Sequence, residues 1–235
     1  MAVQVLGKSL YDYSGTRASQ APRLIPLEVV FRFGCPEGSS LFERIDENPN
    51  YLESIGFALP KGETVTQQSR FGFPILELFT KLESSDRAVN LAEALNISGV
   101  NGDKLQDMLF RTAWTAGFLR WFCAQKGLEL LDGKFEWAIS DSGEVFLVDA
   151  IGPDELRISK NGVSLSKEFL RAIYRKSPWY QKLVQAKAQS KMAGTPHWKK
   201  FVGEEPPHLD SRTLKAASDL YPALTEIGRA SCRER

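Results

Sequence analysis

Histidine and cysteine are scarce in this chain, and their scarcity removes two common routes to chemistry. Only His197 and His208 occur in 235 residues, and both sit beside proline in loop-like sequence. A histidine-based metal site or a Ser-His-Asp triad is therefore poorly supported. Cys35, Cys123 and Cys232 are far apart and odd in number, with neither zinc spacing nor a disulfide framework. Charge of one sign is lacking too. Thirty Lys and Arg against 29 Asp and Glu leave a net +1, so no basic footprint for nucleic acid exists. No apolar run reaches the roughly eighteen residues of a membrane span, so no membrane partner is expected. The first residues, MAVQVLGKSLYDYS, lack a signal-peptide plan because Lys8 interrupts them. These absences together predict a cytoplasmic protein.

What is present is enough for one sizeable core: 43% of residues are hydrophobic and 25% charged. The stretch around which the chain is organised is Leu130 to Arg157, LLDGKFEWAISDSGEVFLVDAIGPDELR. Leu131, Phe135, Trp137 and Ile139 alternate with Asp132, Lys134 and Glu136, the period of a half-buried strand. Ser142-Gly143 can supply a two-residue turn, and Pro153 stops the second arm. With that turn Ile139 faces Phe146, Trp137 faces Val148 and Phe135 faces Ala150. On the other face Glu136 then lies opposite Asp149, and Lys134 opposite Ile151. Facing carboxylates roughly 5 Å apart repel by about 3 kcal/mol at an effective dielectric near 20. A raised pKa, a cation between them or a slipped register would relieve this. Mg²⁺ suits such a pair together with substrate phosphates. Solvation on an open sheet face is the alternative.

Elsewhere, Leu24 to Phe33 reads as a strand with Val29, Phe31 and Phe33 on one side and Glu28, Val30 and Arg32 on the other. The turn GCPEGSSLFER follows it. An arginine at a strand end beside a Gly-Ser turn offers a guanidinium fork, a hydroxyl and backbone N–H groups, a set that suits a phosphate monoester. A plain surface salt bridge uses the same residues. Residues 43 to 73 read as polar and turn-rich. Ile75 to Phe79 reads as a short strand leading to Lys81, Glu83, Asp86 and Arg87. Asp103 to Lys126 is the clearest helix, with Leu105, Met108, Leu109, Thr112, Ala116 and Cys123 at helical spacing. Trp114, Phe118, Trp121 and Phe122 widen its apolar surface, which predicts packing on more than one side. Cys123 reads as a core residue. Ser166 is a candidate N-cap for a helix through Tyr174 that Pro178 breaks; Trp179–Met192 and Leu209–Leu224 read as further helices.

Three blocks of these residues, in order, resemble the SAICAR synthetase (phosphoribosylaminoimidazole-succinocarboxamide synthase) family. LLDGKFEW resembles its Asp-x-Lys-x-Glu-Phe-Gly signature at Asp132, Lys134 and Glu136, with Trp137-Ala138 in place of Phe-Gly. VDAIGPDELR resembles its Asp-Glu-x-x-Pro-Asp-Ser-x-Arg segment at Asp149, Pro153, Asp154 and Arg157, with Ala150 for Glu and Glu155 for Ser. Pro26, Leu27, Glu28, Arg32, Gly38 and Ser39 match its Pro-Leu-Glu-x-x-x-Arg strand and Gly-Ser turn. One extra residue before Gly38 leaves Ser39 or Ser40 to take the serine role. Lys81 with Asp86, and Lys167 with Arg171, resemble two shorter family stretches near the substrate.

The resemblance implies an α+β fold, with a mainly antiparallel sheet flanked by helices. It implies a ligase of purine biosynthesis that uses ATP and Mg²⁺ to join a phosphoribosyl carboxyaminoimidazole (CAIR) to L-aspartate, with the carboxylate activated as an acyl phosphate. On that reading Glu136 and Asp149 hold Mg²⁺, and Lys134 neutralises the CAIR carboxylate or the transferring phosphoryl. Arg32, Ser39 and Arg157 bind the ribose phosphate, while Asp132 and Asp154 orient the cations. A homo-oligomer is compatible with it. Residues 1–225 would form the larger catalytic part, without the family's smaller ATP-covering lobe, and bind ATP poorly alone. EIGRASCRER, residues 226–235, resembles an in-frame sequencing adapter and reads as a non-native tail. An ATP-dependent small-molecule kinase on a related scaffold, or a non-catalytic phosphate-binding module, are the alternatives.

Overall fold

The computed structural model describes Tyr13 and residues 21–83, 86–195 and 197–230. The expectations for the first residues and for the last five therefore lie outside the described residues. The architecture is α+β, as expected. Among the described residues seven antiparallel strands form one sheet in the order β3-β2-β1-β4-β6-β7, with β5 paired to the far half of β4. The strands are β1 (Arg23–Gly34), β2 (Arg70–Thr80), β3 (Ala88–Val89), β4 (Glu129–Ile139), β5 (Val145–Leu147), β6 (Leu156–Lys160) and β7 (Val163–Ser164). The helices are α1 (Ser40–Glu47), α2 (Tyr51–Ser54), α3 (Leu91–Ser98), α4 (Gly102–Ala124), α5 (Glu168–Arg175), α6 (Pro178–Met192), α7 (Lys199–Val202) and α8 (Ser211–Ala230).

The alternation of β1 decides which face is which. Ile25, Leu27, Val29, Phe31 and Phe33 are buried together with Phe135 and Trp137 of β4 and with Met108, Ala116 and Cys123 of α4. That face is the main core. Glu28, Val30 and Arg32 point the other way. A smaller cluster of Cys35, Leu41, Leu52, Phe71 and Ile75 lies under α1 and α2 beside this second face. Gly133 is where the two central strands need the least bulk. A methyl group there would stand 2.5 Å from Phe31 Cζ and 2.6 Å from Leu156 Cδ2.

The hairpin corrects the expected register by one residue. Trp137 pairs with Leu147, Ala138 with Phe146 and Ile139 with Val145. The loop is Asp141-Ser142-Gly143: Gly143 N–H donates to Ser140 O and Ser140 N–H to Glu144 O, each at 2.9 Å. Gly143 sits at φ 78°, so the turn is a three-residue loop with a glycine bulge rather than a two-residue turn. The second arm is also short. It leaves β4 after the Val148 N–H bond to Glu136 O (2.9 Å), and β6 takes over the pairing at Gly133 and Asp132. Asp149, at φ 101°, lies in that departure, exposed and off the ladder.

Other readings shift for local reasons. The stretch after Gly38 is helical because Ser39 caps α1, its Oγ accepting from Leu41 N–H. Polar residues through 54 therefore form α1 and α2 rather than loop alone, and α3 and the short α7 also escaped the sequence reading. The helix through Tyr174 ends at Arg175, ahead of Pro178 as expected, and Pro178 itself opens α6, its ring fitting the first turn. α5 begins at Glu168 with Lys167 at its N-cap. Trp114, Phe118, Trp121 and Phe122 do not pack on a second side: among the described residues they stay exposed.

Candidate functional site

Register brings the polar residues of four strands into rows on the second face of the sheet. Arg32 pairs across the ladders with Ile75 on one side and Asp132 on the other, and Asp132 pairs with Arg157. Val30 lies between Glu77 and Lys134, and Glu28 between Phe79 and Glu136. Two charged clusters result, four residues apart along β1, which is about 13 Å of strand.

The first cluster is a chain of ion pairs, buried at Arg32, Glu77 and Asp132 and opening to solvent at Arg171. Glu77 Oε1 lies 2.6 Å from Arg44 Nη2, and its Oε2 accepts from Arg32 Nε at 2.5 Å. Arg32 Nη1 reaches Asp132 Oδ2 at 2.8 Å, which Arg157 Nη1 shares at 3.2 Å. Arg157 Nε continues to Glu168 Oε1 at 3.6 Å. Glu168 also accepts from Arg171 at 2.5 Å and from Arg175 at 2.9 Å. Five guanidinium groups thus meet three carboxylates, a surplus of two positive charges. Burial works against charge on Glu77 and Glu168, but the arginines outweigh it and hold both carboxyls below their ordinary value. Burial also works against charge on Arg32, which Glu77 and Asp132 nonetheless raise. Asp132 goes the other way. Its deep burial raises it, and Arg157 and Arg32 offset that only in part.

Against this cluster sits the Gly-Ser turn. Ser39 is buried, and Arg32 Nη1 donates to its Oγ at 3.4 Å. Ser39, not Ser40, is therefore the serine beside the arginines, while Ser40 opens α1. Gly38 has φ 73°, and a methyl group on it would collide with the Arg175 guanidinium. Glycine here lets an arginine lie flat on the turn.

The second cluster is built on lysine. Lys134 Nζ lies 2.7 Å from Glu28, 3.2 Å from Glu155 and 3.9 Å from Glu136. Lys81 Nζ lies 2.6 Å from Glu136 and 3.4 Å from Glu28. A carboxylate clash across the ladder does exist, but its members are Glu28 and Glu136, and two ammonium groups relieve it. Burial would lower both lysines, yet the surrounding carboxylates raise them above the ordinary range, so Lys134 is a fixed cation. Asp86 is exposed at the mouth of this cluster; its carboxyl is nonetheless raised, first by partial desolvation and then by Glu28.

The remaining predicted residues divide. Arg32, Gly38, Ser39, Asp132, Arg157 and Arg171 belong to the arginine cluster, and Lys81, Lys134 and Glu136 to the lysine cluster. Lys167 is half-buried at the start of α5. Asp154 orients no cation of the site: it is exposed and accepts from Tyr221 of α8 at 2.5 Å. Asp149 does not face Glu136. Its Oδ1 accepts from Ala150 N–H at 2.8 Å, which leaves its other oxygen open. Among the described residues no three His, Cys, Asp or Glu side chains gather as a metal-binding group. Asp149, exposed and half-committed, still suits a Mg²⁺ that arrives on polyphosphate and needs one or two carboxylates. Glu136 suits it only once Lys81 lets go.

Glu77, Arg44, Glu168, Arg175 and Glu28 were not foreseen as site residues. Glu77 left one signal, a lone carboxylate inside the apolar run PILELF. Arg44, Glu168 and Arg175 look like ordinary charges on short helices and left none.

A sheet face lined by paired arginines at one end and by lysines among carboxylates at the other is the candidate site of this α+β domain. The sequence model of the SAICAR synthetase family matches residues 15–186. The chain belongs to the SAICAR synthetase family. An Archaeoglobus fulgidus protein provisionally named phosphoribosylaminoimidazole-succinocarboxamide synthase is 35% identical over 223 residues, 94% of this chain and 64% of its own. The synthase of Thermoplasma acidophilum is 27% identical over 219 residues, 86% of this chain and 66% of its own. This chain thus spans just under two thirds of the length of these relatives. Among solved structures, the Saccharomyces cerevisiae SAICAR-synthase complexed with SAICAR shares the fold with a TM-score of 0.57. It is 21% identical, and the match covers 88% of this chain and 61% of that one. A SAICAR synthetase in complex with ADP matches with a TM-score of 0.52 and 23% identity, over 80% of this chain and 67% of that one.

Proposed function

We propose that this chain carries the substrate-phosphate and carboxylate half of a site that joins CAIR to L-aspartate, with ATP converted to ADP and phosphate. The observation that carries the proposal is the surplus of two guanidinium charges beside buried Ser39 and positive-φ Gly38. A phosphate monoester brings close to two negative charges and several acceptor oxygens, which that surplus matches. The ribose phosphate sits among Arg32, Ser39, Arg157 and Arg175. The imidazole then runs along β1 toward Lys134, roughly the 13 Å between the clusters.

At the far end Lys134 and Lys81 hold positive charge that pairs with the negative charge of the CAIR carboxylate. Their raised pKa values exclude them as bases at neutral pH. ATP supplies the phosphoryl group that activates the carboxylate. Asp149 and Glu136 are the carboxylates that would hold Mg²⁺, which would supply charge neutralisation. Glu28, Glu136, Glu155 and Asp86 make this end attractive to the ammonium of aspartate, which loses its proton to solvent or to one of these carboxylates before it attacks.

Titration calorimetry of SAICAR into the purified chain tests the phosphate half. Saturable binding is expected, weakened roughly tenfold to a hundredfold by Arg157→Met and by Arg175→Met. Absence of saturable binding, or equal affinity of the variants, would overturn the assignment.

A further inference from the structure

Helix α4 and the β4–β5 hairpin leave a hollow between them of about 540 Å³, within the size range of small-molecule sites. Phe110 and Trp114 of α4 and Phe146 of β5 form its walls, with Ile151 beside them. These side chains stay open to water: Trp114 is 71% exposed, Phe110 66%, Ile151 48% and Phe146 42%. Contiguous apolar surface of this kind marks ligand grooves and interaction sites.

A second observation comes from the hairpin side of the hollow. Trp137 lines it and is only 2% exposed. Among the described residues its buried indole Nε1 finds no acceptor. The indole nitrogen can only donate, and a buried donor without a partner forfeits the bond it makes to water in the unfolded chain. Buried tryptophans usually do find that partner. Here only a group from outside the chain can supply it. Thr115 of α4 adds a hydroxyl to the same lining.

The rim sets the charge of the occupant. Arg111 Nε donates to Asp107 Oδ1 at 2.9 Å, so the two ionised side chains of the hollow neutralise each other. Neither an anion nor a cation is selected. The hollow is also distinct from the candidate site. Trp137 belongs to the core face of β4, whereas its neighbour Glu136 pairs with Lys81 on the polar face.

We propose that this hollow binds a neutral, planar heteroaromatic molecule, which stacks on Trp114 and Phe110 and accepts a hydrogen bond from Trp137 Nε1. A purine nucleoside has the required properties: a flat π-face, acceptor nitrogens on its edge and no charge at neutral pH. The proposal uses no residue of either charged cluster, so it stands apart from the ligase reading.

The test is an NMR titration of adenosine into the full 235-residue chain labelled with ¹⁵N at its five tryptophan indoles. Trp137→Phe assigns the Trp137 signal by its loss. That signal is expected to move downfield and saturably as Nε1–H gains an acceptor, and the Trp114 signal to move with the same Kd. Trp114→Ala is expected to weaken binding roughly fivefold to a hundredfold, as loss of a base-stacking ring does. Because Trp114 is exposed, the melting temperature and the affinity for SAICAR should not change in that variant. No saturable shift of the Trp137 indole would overturn the proposal. So would a Kd that Trp114→Ala leaves unchanged, since adenosine would then be bound elsewhere.

Discussion

The two ends of the polar sheet face solve opposite electrostatic problems with the same materials. At the Arg32 end, five guanidinium groups meet three carboxylates, and the side chains of Arg32, Glu77 and Asp132 are nearly sealed from water. At the Lys134 end, two ammonium groups meet Glu28, Glu136 and Glu155, and both lysines remain about a quarter exposed. One end is short of anions and the other of cations. Arginine serves the first because its planar fork can bind two carboxylates and still be held in one orientation. Lysine serves the second because a single charge on a flexible stem can reach several neighbours, as Lys81 lies 2.6 Å from Glu136 and 3.4 Å from Glu28. The contrast teaches that a buried pair fixes geometry, whereas a half-exposed cluster can exchange partners.

Removing a fixed partner should have the largest effect. Glu77→Ala leaves Arg32 and Arg44 without their shared carboxylate, and a loss of about 3–5 kcal/mol is expected in urea unfolding at pH 7. The same carboxyl sets an acid limit. Its folded pKa lies below the ordinary 4.5, so its stabilisation is full above pH 4.5 and disappears as pH falls through the folded value. Unfolding midpoints of Glu77→Gln should accordingly fall less between pH 5 and pH 3 than those of the parent. A steeper fall in the variant would contradict this.

Gly133→Ala probes the apolar side of the same strands. Displacing Phe31 and Leu156 should cost about 1–3 kcal/mol in thermal or urea melts. Lys134→Met comes next. It exposes Glu28 to Glu136 across the ladder, and about 1–2 kcal/mol should be lost in urea unfolding at pH 7. The same variant sharpens the comparison of the ends, since SAICAR affinity should suffer less than with Arg157→Met. Arg70→Ala is the smallest. Arg70 and Glu129 form a solvent-exposed pair outside both clusters, so less than about 1 kcal/mol is expected.

Much of the site was legible in the chain. The alternation of LIPLEVVFRF placed Glu28 and Arg32 on one side of β1, and that of LLDGKFEW placed Asp132, Lys134 and Glu136 on one side of β4. Period two decides this before any tertiary contact forms. The pairing of Glu136 with Asp149 was not legible. It depended on whether the hairpin loop held two residues or three, and one extra residue with glycine in the left-handed region moves every partner by one. Asp154 illustrates the same limit. Its place in a conspicuous motif gives no warning that Tyr221 of a distant helix takes its carboxylate.

The aromatic stripe of α4 shows the limit from the other direction. Helical periodicity identified the stripe, but exposure is a property of what surrounds a helix. Period by itself determined the strands that carry charge and the face that is apolar, because each follows from local backbone geometry and the cost of burying charge; the α+β class came from the family resemblance. Only the tertiary structure decided that Glu28, not Asp149, confronts Glu136. It alone joined Arg44, Glu77, Glu168 and Arg175 into one network, because the links through Arg32, Asp132 and Arg157 depend on strand register and helix docking.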